Sequence, residues 1–159
     1  MPTTAAVPLN TQEIYDENFY RAFNPDLANL NSRDLYQHFL NFGINQGRRF
    51  SPFFDVNFYR ASNPEFTNSN LTNRQLFDNF LNQGLASGRQ FSQFFDLDFY
   101  RASNRDLANL DNFDLFRHFR NFGVAEGVRS FSPVLDLNFY RNNNADLTGL
   151  NYRQLFEQF

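Results

Sequence analysis

Aromatic residues recur along the chain with a period of about 40 residues, and polar stretches separate the aromatic clusters. The tripeptide Phe-Tyr-Arg occurs four times with spacings of 39, 41 and 40 residues, and its copies start at Phe19, Phe58, Phe99 and Phe139. An aspartate lies three residues before each of these phenylalanines: Asp16, Asp55, Asp96 and Asp136. An asparagine and then an acidic residue follow each tripeptide, as in Asn24 and Asp26. The pattern predicts a tandem repeat.

The second half of each repeat carries a Leu-aromatic-x-x-Phe pattern, which begins at Leu35, Leu76, Leu115 and Leu155. In three copies a glycine pair and an arginine come next: Gly43, Gly47 and Arg48; Gly84, Gly88 and Arg89; Gly123, Gly127 and Arg129. The fourth copy stops at Phe159, before its glycines, so it is either a truncated unit or cut from a longer array. These boundaries predict an extended N-terminal arm over 1–12, which we expect to become ordered on a partner. They predict repeats over 13–52, 53–93, 94–133 and, in part, 134–159.

The first half of each repeat is predicted to form a short helix. The aspartate is placed at its N-cap, because a carboxylate there accepts hydrogen bonds from free backbone amides of the first turn. In the second copy the helix is expected over 56–62. It should end near Asn63, since the residue before Pro64 disfavours helical backbone.

A second helix of about ten residues is predicted in the other half. Its start is expected near Ser32, Thr72 or Asn112 in the first three copies. Thr72 and Gln75 match a capping box. The apolar residues of the second copy form one stripe, which consists of Leu76, Phe77, Phe80 and Leu81. Gly84 is expected to end the helix in the left-handed conformation.

A pair of such short helices cannot bury its own stripe of phenylalanine, so neighbouring repeats are expected to share a core. The fold class predicted is all-α: tandem helix-pair repeats stacked as a short α-solenoid, with no β-sheet.

Composition narrows the function classes. The 159 residues include 23 Phe and 7 Tyr but no Cys, and the formal net charge is -3. A nucleic-acid binder would carry a basic patch, so nucleic acid is not an expected partner. Without cysteine the chain can form neither a disulfide nor a thioether bond to a chromophore. No stretch approaches the ~20 apolar residues of a transmembrane helix, and no secretion signal is visible, so the predicted localisation is cytoplasmic.

The repeated acidic and basic residues are interpreted as a structural latch made of Asp16, Arg21, Asp55, Arg60, Asp96, Arg101, Asp136 and Arg141. The arginine is expected to bind either the acid after the asparagine or a carbonyl oxygen at a helix end. The alternative is a calcium loop that includes Asp96 and Asp98. The central glycine and terminal glutamate of an EF-hand loop are missing, however. No metal ligand and no cofactor are therefore predicted.

Two histidines, His38 and His118, occupy the same position of copies one and three, where the other copies have Asn79 and Gln158. This variation indicates a partly exposed polar helix face. Neither histidine has a nucleophile or a carboxylate cluster beside it. The glycine pairs lack the lysine of a phosphate-binding loop. The chain is therefore predicted to be no enzyme and to have no catalytic residue.

A stack of helix pairs presents the same face several times, which suits contact with an extended or repetitive protein partner. Aromatic residues are enriched at the energetic centre of protein interfaces. The candidate partner-binding residues are Phe23, Phe42, Phe113 and Phe122. For each of them a place in the core is the alternative.

The unit Phe-Asp-x-x-Phe-Tyr-Arg-x-x-Asn-Pro over 54–64, followed by Leu-x-x-x-Phe and Gly-x-x-x-Gly-Arg, resembles a cyanobacterial repeat of about 40 residues. The resemblance covers nearly the whole chain. It implies tandem repeats that often accompany extracellular, calcium-associated or adhesive domains, and it implies no activity.

A cytosolic protein of this kind, with repeated aromatic contacts, is similar in setting to a linker of the phycobilisome, the cyanobacterial light-harvesting antenna. The predicted function is therefore a scaffold or linker that organises multi-copy antenna subunits, at the periphery of the thylakoid membrane. A calcium- or glycan-associated module of a cell-surface protein is the alternative that stays open.

Overall fold

The computed structural model describes residues 6–159, and all regular structure in that range is helical, with no strand. The all-α prediction is thus confirmed for these residues. The described residues form two compact units. The first unit, Leu9–Ser92, contains repeats one and two, and the second unit contains residues 6–8 with repeats three and four over 93–159.

The first unit is built from six short helices. They are α1 (Thr11–Ile14), α2 (Glu17–Phe23), α3 (Ser32–His38), α4 (Val56–Ser62), α5 (Pro64–Thr67) and α6 (Asn73–Asn79). A 3-10 turn over Pro25–Leu27 connects α2 and α3. The helices α3 and α6 each continue into a π-helical turn, over Phe39–Gly43 and Phe80–Gly84.

The second unit repeats this order with five helices. They are α7 (Leu97–Ser103), α8 (Asn112–His118), α9 (Val124–Glu126), α10 (Leu137–Asn142) and α11 (Tyr152–Phe156). Two 3-10 turns, Arg105–Leu107 and Ala145–Leu147, follow α7 and α10. A π-helical turn over Phe119–Gly123 extends α8.

The first helix of each repeat begins where the aspartate pattern predicts. In α4 the Asp55 side chain accepts from the backbone amides of Asn57 and Phe58, and the helix covers the predicted residues. The tyrosine of each of the first three Phe-Tyr-Arg triplets is completely buried: Tyr20, Tyr59 and Tyr100. An amphipathic helix of seven residues is stabilised mainly by burial of that face, since so short a helix is marginal alone.

The second helix confirms the capping box and the stripe but not the expected helix end. Thr72 accepts from the Gln75 amide and the Gln75 side chain accepts from the Thr72 amide. The stripe residues of α6 are buried. Gly84 is the last residue of the π-helical turn, whereas positive φ occurs at the second glycine, with 77° at Gly88. The prediction of a left-handed Gly84 was wrong, because the helix continues through the first glycine.

A stretch named here the closing segment joins one repeat to the next. It runs from the first glycine of the pair to the phenylalanine after the arginine, over 43–50, 84–91 and 123–131. In the first unit, Phe50 packs against Phe39 of its own repeat at 4.8 Å and Phe77 of the next at 5.3 Å between ring centroids. Phe131 makes the corresponding contacts with Phe119 and Phe156 in the second unit.

Hydrogen bonds accompany these ring contacts. Arg74 donates to the Leu40 carbonyl oxygen at 3.1 Å in the first unit, and Arg153 donates to the Arg120 carbonyl oxygen at 3.2 Å in the second. Full burial of one phenylalanine contributes roughly 1.5–3 kcal/mol, so each buried ring stabilises its unit. Stacking of all four repeats as a solenoid remains a prediction.

The predicted N-terminal arm, 1–12, is not extended at its C-terminal end in the structure. Residues 1–5 lie outside the described residues. Leu9 is buried and Thr11 already belongs to α1, whose cap is a reciprocal pair of hydrogen bonds between Asn10 and Glu13. The sequence argument missed this turn because its apolar anchors, Leu9 and Ile14, lie outside the repeat pattern.

Among the helices of the described residues, none combines the length and apolar character needed to cross a membrane.

Candidate functional site

The latch aspartates cap helices in every repeat. Each side chain accepts a hydrogen bond from the backbone amide of the phenylalanine in Phe-Tyr-Arg, and the four caps are Asp16, Asp55, Asp96 and Asp136. Such a cap stabilises a helix by about 1 kcal/mol. Asp98, the second residue of the calcium alternative, pairs with Arg101 at 3.4 Å. No group of three or more metal-ligating side chains occurs in the part of the chain that the structure describes.

The latch arginines bind backbone carbonyl oxygens in three repeats. Arg21 donates to the Leu30 carbonyl oxygen at 2.6 Å and Arg60 donates to that of Leu71 at 2.7 Å. In repeat three Arg101 donates to the Leu110 carbonyl oxygen at 3.4 Å. Arg141 differs, because it donates to the Tyr152 hydroxyl at 2.6 Å and lies over that ring. These carbonyl oxygens belong to the residue before the N-cap of the second helix, so the expected carbonyl partner is found, but beside the start of a helix.

The other expectation, an ion pair with the acid after the asparagine, was wrong for the latch arginines. That acid pairs with the arginine of the closing segment. Arg48 binds Asp26 through two hydrogen bonds of 2.9 Å, and Arg129 binds Asp106 at 3.0 and 2.8 Å. Glu65 forms an ion pair with Arg89 in repeat two. Sequence spacing did not show this because about 22 residues separate the partners and only the fold brings them together.

Each buried tyrosine lies against the first glycine of its closing segment. A Cβ on Gly43, Gly84 or Gly123 would collide with the tyrosine hydroxyl of the same repeat. This close approach explains why the residue is glycine in all three closing segments. The second glycines, Gly47 and its equivalents, have positive φ instead.

In each of these repeats, the residue at the position of His38 in the second helix is the hydrogen-bond partner of the buried tyrosine. The Tyr20 hydroxyl is 2.9 Å from His38 Nδ1, and the Tyr100 hydroxyl is 2.7 Å from His118 Nδ1. In repeat two the Tyr59 hydroxyl donates to Asn79 Oδ1 at 2.6 Å. The three side chains are half-buried, so the predicted partial exposure is found. Sequence reasoning missed that each of them can hydrogen-bond a hydroxyl.

The buried tyrosines remain neutral over the physiological pH range. Burial raises the pKa of Tyr20 and of Tyr59 to about 12 and raises the pKa of Tyr100 as well. The hydrogen bond from Arg48 lowers the pKa of Asp26, and Arg129 lowers that of Asp106 in the same way. Each of repeats one to three therefore has a neutral tyrosine hydroxyl hydrogen-bonded in its interior and an acid–arginine ion pair at its surface.

Two of the predicted partner-binding phenylalanines form equivalent exposed surfaces. Phe42 is 55% exposed and its ring lies 5.5 Å from that of His38. Phe122 is 60% exposed and its ring lies 5.7 Å from that of His118. We name each of these a Phe–His pair. Repeat two has Gln83 in place of the phenylalanine.

The other two candidates behave differently from one another. Phe23 is 42% exposed, stacks on Phe19 at 4.3 Å and lies under the Arg49 guanidinium at 4.4 Å. Phe113 is only 5% exposed, so the expectation that it lies at the surface was wrong. Its position, one turn from the buried Phe116, places it on the apolar side of α8.

Comparison with protein-family models, with curated proteins and with solved structures finds no match to this chain.

Proposed function

We propose that this chain is a non-catalytic scaffold that binds protein subunits through its two Phe–His pairs. The observation that carries the proposal is their equivalence. Phe42 and Phe122 occupy the same position of repeats one and three. Each is more than half exposed, and each ring lies beside the histidine of its own repeat. One such pair belongs to each compact unit, so the protein presents the same surface twice.

Support comes from the energetics of exposed aromatic rings. Burial of an exposed aromatic ring by a partner is favourable, and aromatic residues are enriched at the centres of protein interfaces. Fully burying a phenylalanine on binding contributes roughly 1.5–3 kcal/mol. The histidine beside each ring is hydrogen-bonded to a buried tyrosine, and we expect this contact to restrict the ring before binding. Preorganisation reduces the entropy lost on association.

The partner that we propose is a repeated subunit of the phycobilisome antenna, and the chain acts as a linker there. Two equivalent surfaces on one chain suit partner subunits present in several copies, since the second contact forms at high effective concentration. The choice of the antenna rests on the expected setting, a cytosolic cyanobacterial protein with repeated aromatic contacts. The choice of the binding surface rests on Phe42 and Phe122.

The experiment is retention of purified, bilin-bearing antenna subunits by the immobilised chain, read by bilin absorbance. We expect the unaltered chain to retain them. The double variant Phe42→Ala, Phe122→Ala should lose at least about tenfold in apparent affinity, because truncation removes two burial terms. The matched control is Val128→Ala, Val134→Ala, which trims two other exposed apolar residues.

Retention that is absent, or that both double variants reduce equally, would contradict the proposal. Binding to isolated cell envelopes that requires calcium would favour the cell-surface module instead. Circular dichroism of each variant checks that the fold is unchanged, which we expect because exposed side chains contribute little to stability.

A further inference from the structure

The histidine of each Phe–His pair uses one ring nitrogen inside its repeat and leaves the other one open. Nδ1 of His38 lies 2.9 Å from the hydroxyl of the buried Tyr20, and Nδ1 of His118 lies 2.7 Å from that of Tyr100. In the part of the chain that the structure describes, no group hydrogen-bonds Nε2 of either histidine. The Tyr15 hydroxyl is the only buried polar side-chain atom without a partner there, so both Nε2 atoms are accessible to solvent.

Repeat two indicates which nitrogen carries the hydrogen atom. There the hydroxyl of Tyr59 donates to Oδ1 of Asn79 at 2.6 Å, and an amide oxygen can only accept. Burial keeps the equivalent hydroxyls protonated at neutral pH, because it raises the pKa of Tyr20 to about 12 and raises that of Tyr100 as well. Because these hydroxyls occupy the same place, they donate to Nδ1. The hydrogen atom of the neutral imidazole is then on Nε2.

Each Phe–His pair therefore presents a hydrogen-bond donor beside an exposed aromatic ring. Nδ1 and Nε2 are on different edges of the imidazole ring, so Nε2–H points away from the tyrosine hydroxyl. The Phe42 ring centroid is 5.5 Å from that of His38, and the Phe122 ring centroid is 5.7 Å from that of His118. A partner that covers the phenylalanine also covers Nε2–H. A donor buried without an acceptor weakens binding, so the partner has to supply an acceptor atom.

Nearby charges favour an uncharged acceptor. In repeat three the Arg129 hydrogen bond lowers the pKa of Asp106, and the charge of His118 lowers it further, so this carboxylate lies close to the imidazole. Glu126 pairs with the same arginine, so two acids face one base. A carboxylate of the partner would be repelled there, whereas a neutral carbonyl oxygen would not. Repeat one has Gln46 in place of Glu126, so a carbonyl oxygen suits both pairs.

We propose that Nε2–H of each Phe–His pair donates a hydrogen bond to an uncharged carbonyl oxygen of the bound subunit, beside the apolar group that covers the phenylalanine. The inference rests on the proposed scaffold function and adds the chemistry of the partner surface to it. His38 and His118 then determine specificity, because a partner with an apolar group alone leaves Nε2–H unpaired. Asn79, at the same position of repeat two, binds its tyrosine but has no imidazole donor.

Two double variants separate the contact with the tyrosine from the contact with the partner. His38→Asn with His118→Asn reproduces repeat two, so the bond to the tyrosine is kept and Nε2–H is lost. We expect retention of purified, bilin-bearing antenna subunits to weaken by about tenfold, through loss of one hydrogen bond per pair, with an unchanged denaturation midpoint.

His38→Gln with His118→Gln is the converse change. The longer side chain places its amide N–H near the position of Nε2 and leaves no acceptor at the position of Nδ1. This variant should keep most of the affinity for antenna subunits and should have a lower denaturation midpoint, because the buried tyrosine hydroxyl loses its partner.

Nitrogen NMR of the full chain tests the assignment of the hydrogen atom without any partner. At about pH 8, where histidine side chains are ordinarily neutral, both imidazoles should carry it on Nε2. A hydrogen atom on Nδ1 of either histidine would overturn the proposal. Retention should change little between about 0.05 M and 0.5 M salt, as expected for an uncharged acceptor. A steep loss of retention with salt would mean that the acceptor is charged, which contradicts the proposal.

The outcomes distinguish this inference from the function on which it rests. Failure of the unaltered chain to retain antenna subunits contradicts both. Retention that is lost in Phe42→Ala, Phe122→Ala but unchanged in the asparagine variant overturns the histidine contact alone. Equal losses in the asparagine and glutamine variants would overturn it as well, since the effect would then come from the missing imidazole ring and not from Nε2–H.

Discussion

Repeats one and two bury the same tyrosine in the same surroundings but present different side chains above it. Tyr20 and Tyr59 both lie against a glycine and both form a hydrogen bond to the second helix. Above them, repeat one has His38 and an exposed Phe42, whereas repeat two has Asn79 and Gln83. The shared inner part is required by folding. The difference lies at the surface, where repeat one has the proposed Phe–His pair and repeat two does not.

The largest effect is expected from filling the shared contact between tyrosine and glycine. Gly84→Ala places a methyl group against the fully buried Tyr59 hydroxyl, so the free energy of unfolding should fall by about 1–3 kcal/mol. Chemical denaturation followed by circular dichroism measures this. Gly149→Ala is the matched control, because nothing lies within 4 Å of its added Cβ and little change is expected.

Removal of the hydroxyl tests the cause of that destabilisation. Tyr59→Phe alone should cost about 1 kcal/mol through loss of the hydrogen bond to Asn79. Combined with Gly84→Ala it makes room for the methyl group, so the two costs should not add. Additive costs would show that the methyl group collides with something other than the hydroxyl.

A smaller effect is expected from giving repeat two the surface of repeat one. Asn79→His with Gln83→Phe should create a third Phe–His pair, because the histidine can still hydrogen-bond the Tyr59 hydroxyl. Retention of antenna subunits should then increase severalfold through multivalency. Asn79→His alone is the control and should leave retention unchanged. If the complete exchange also has no effect, the Phe–His pairs are not the binding surface.

The sequence predicts well what depends on neighbours along the chain. The Asp55 cap, the end of α4 before Pro64 and the capping box of Thr72 are all local, and each is found as expected. The prediction that Gly84 ends the helix was wrong, because either glycine of a pair can end a helix by the same rule. Gly84 stays helical, and its close contact with Tyr59, which comes from tertiary packing, explains why this residue is a glycine.

The candidate site was predictable only in part, for the same reason. Periodicity identified Phe42 and Phe122 but gave no means to separate them from Phe113, whose burial depends on tertiary contacts. The pairing of Asp26 with Arg48 and of His38 with Tyr20 spans 22 and 18 residues. The acid and the tyrosine recur in four repeats, the arginine in three and the histidine in two, but distance in sequence hides which of these side chains meet.

The smallest effect concerns the charged pair that repeat one has and repeat four lacks. The hydrogen bond from Arg48 lowers the pKa of Asp26 below the ordinary value of 3.8, so the native state holds this proton less tightly than the unfolded state. The resulting stabilisation is present above pH 3.8 and disappears as the pH falls through the lowered value. Asp26→Asn should therefore reduce stability at neutral pH and flatten its decline below pH 3.8.

Denaturation midpoints between about pH 6 and pH 2 measure this decline. Asp146→Asn changes the equivalent residue of repeat four, which has no arginine partner among residues 6–159, so its curve should follow that of the unaltered chain. The exposure of Asp26 keeps the expected difference small, since solvent screens a surface pair. Equal flattening by both variants would mean that the pair with Arg48 contributes nothing to folding.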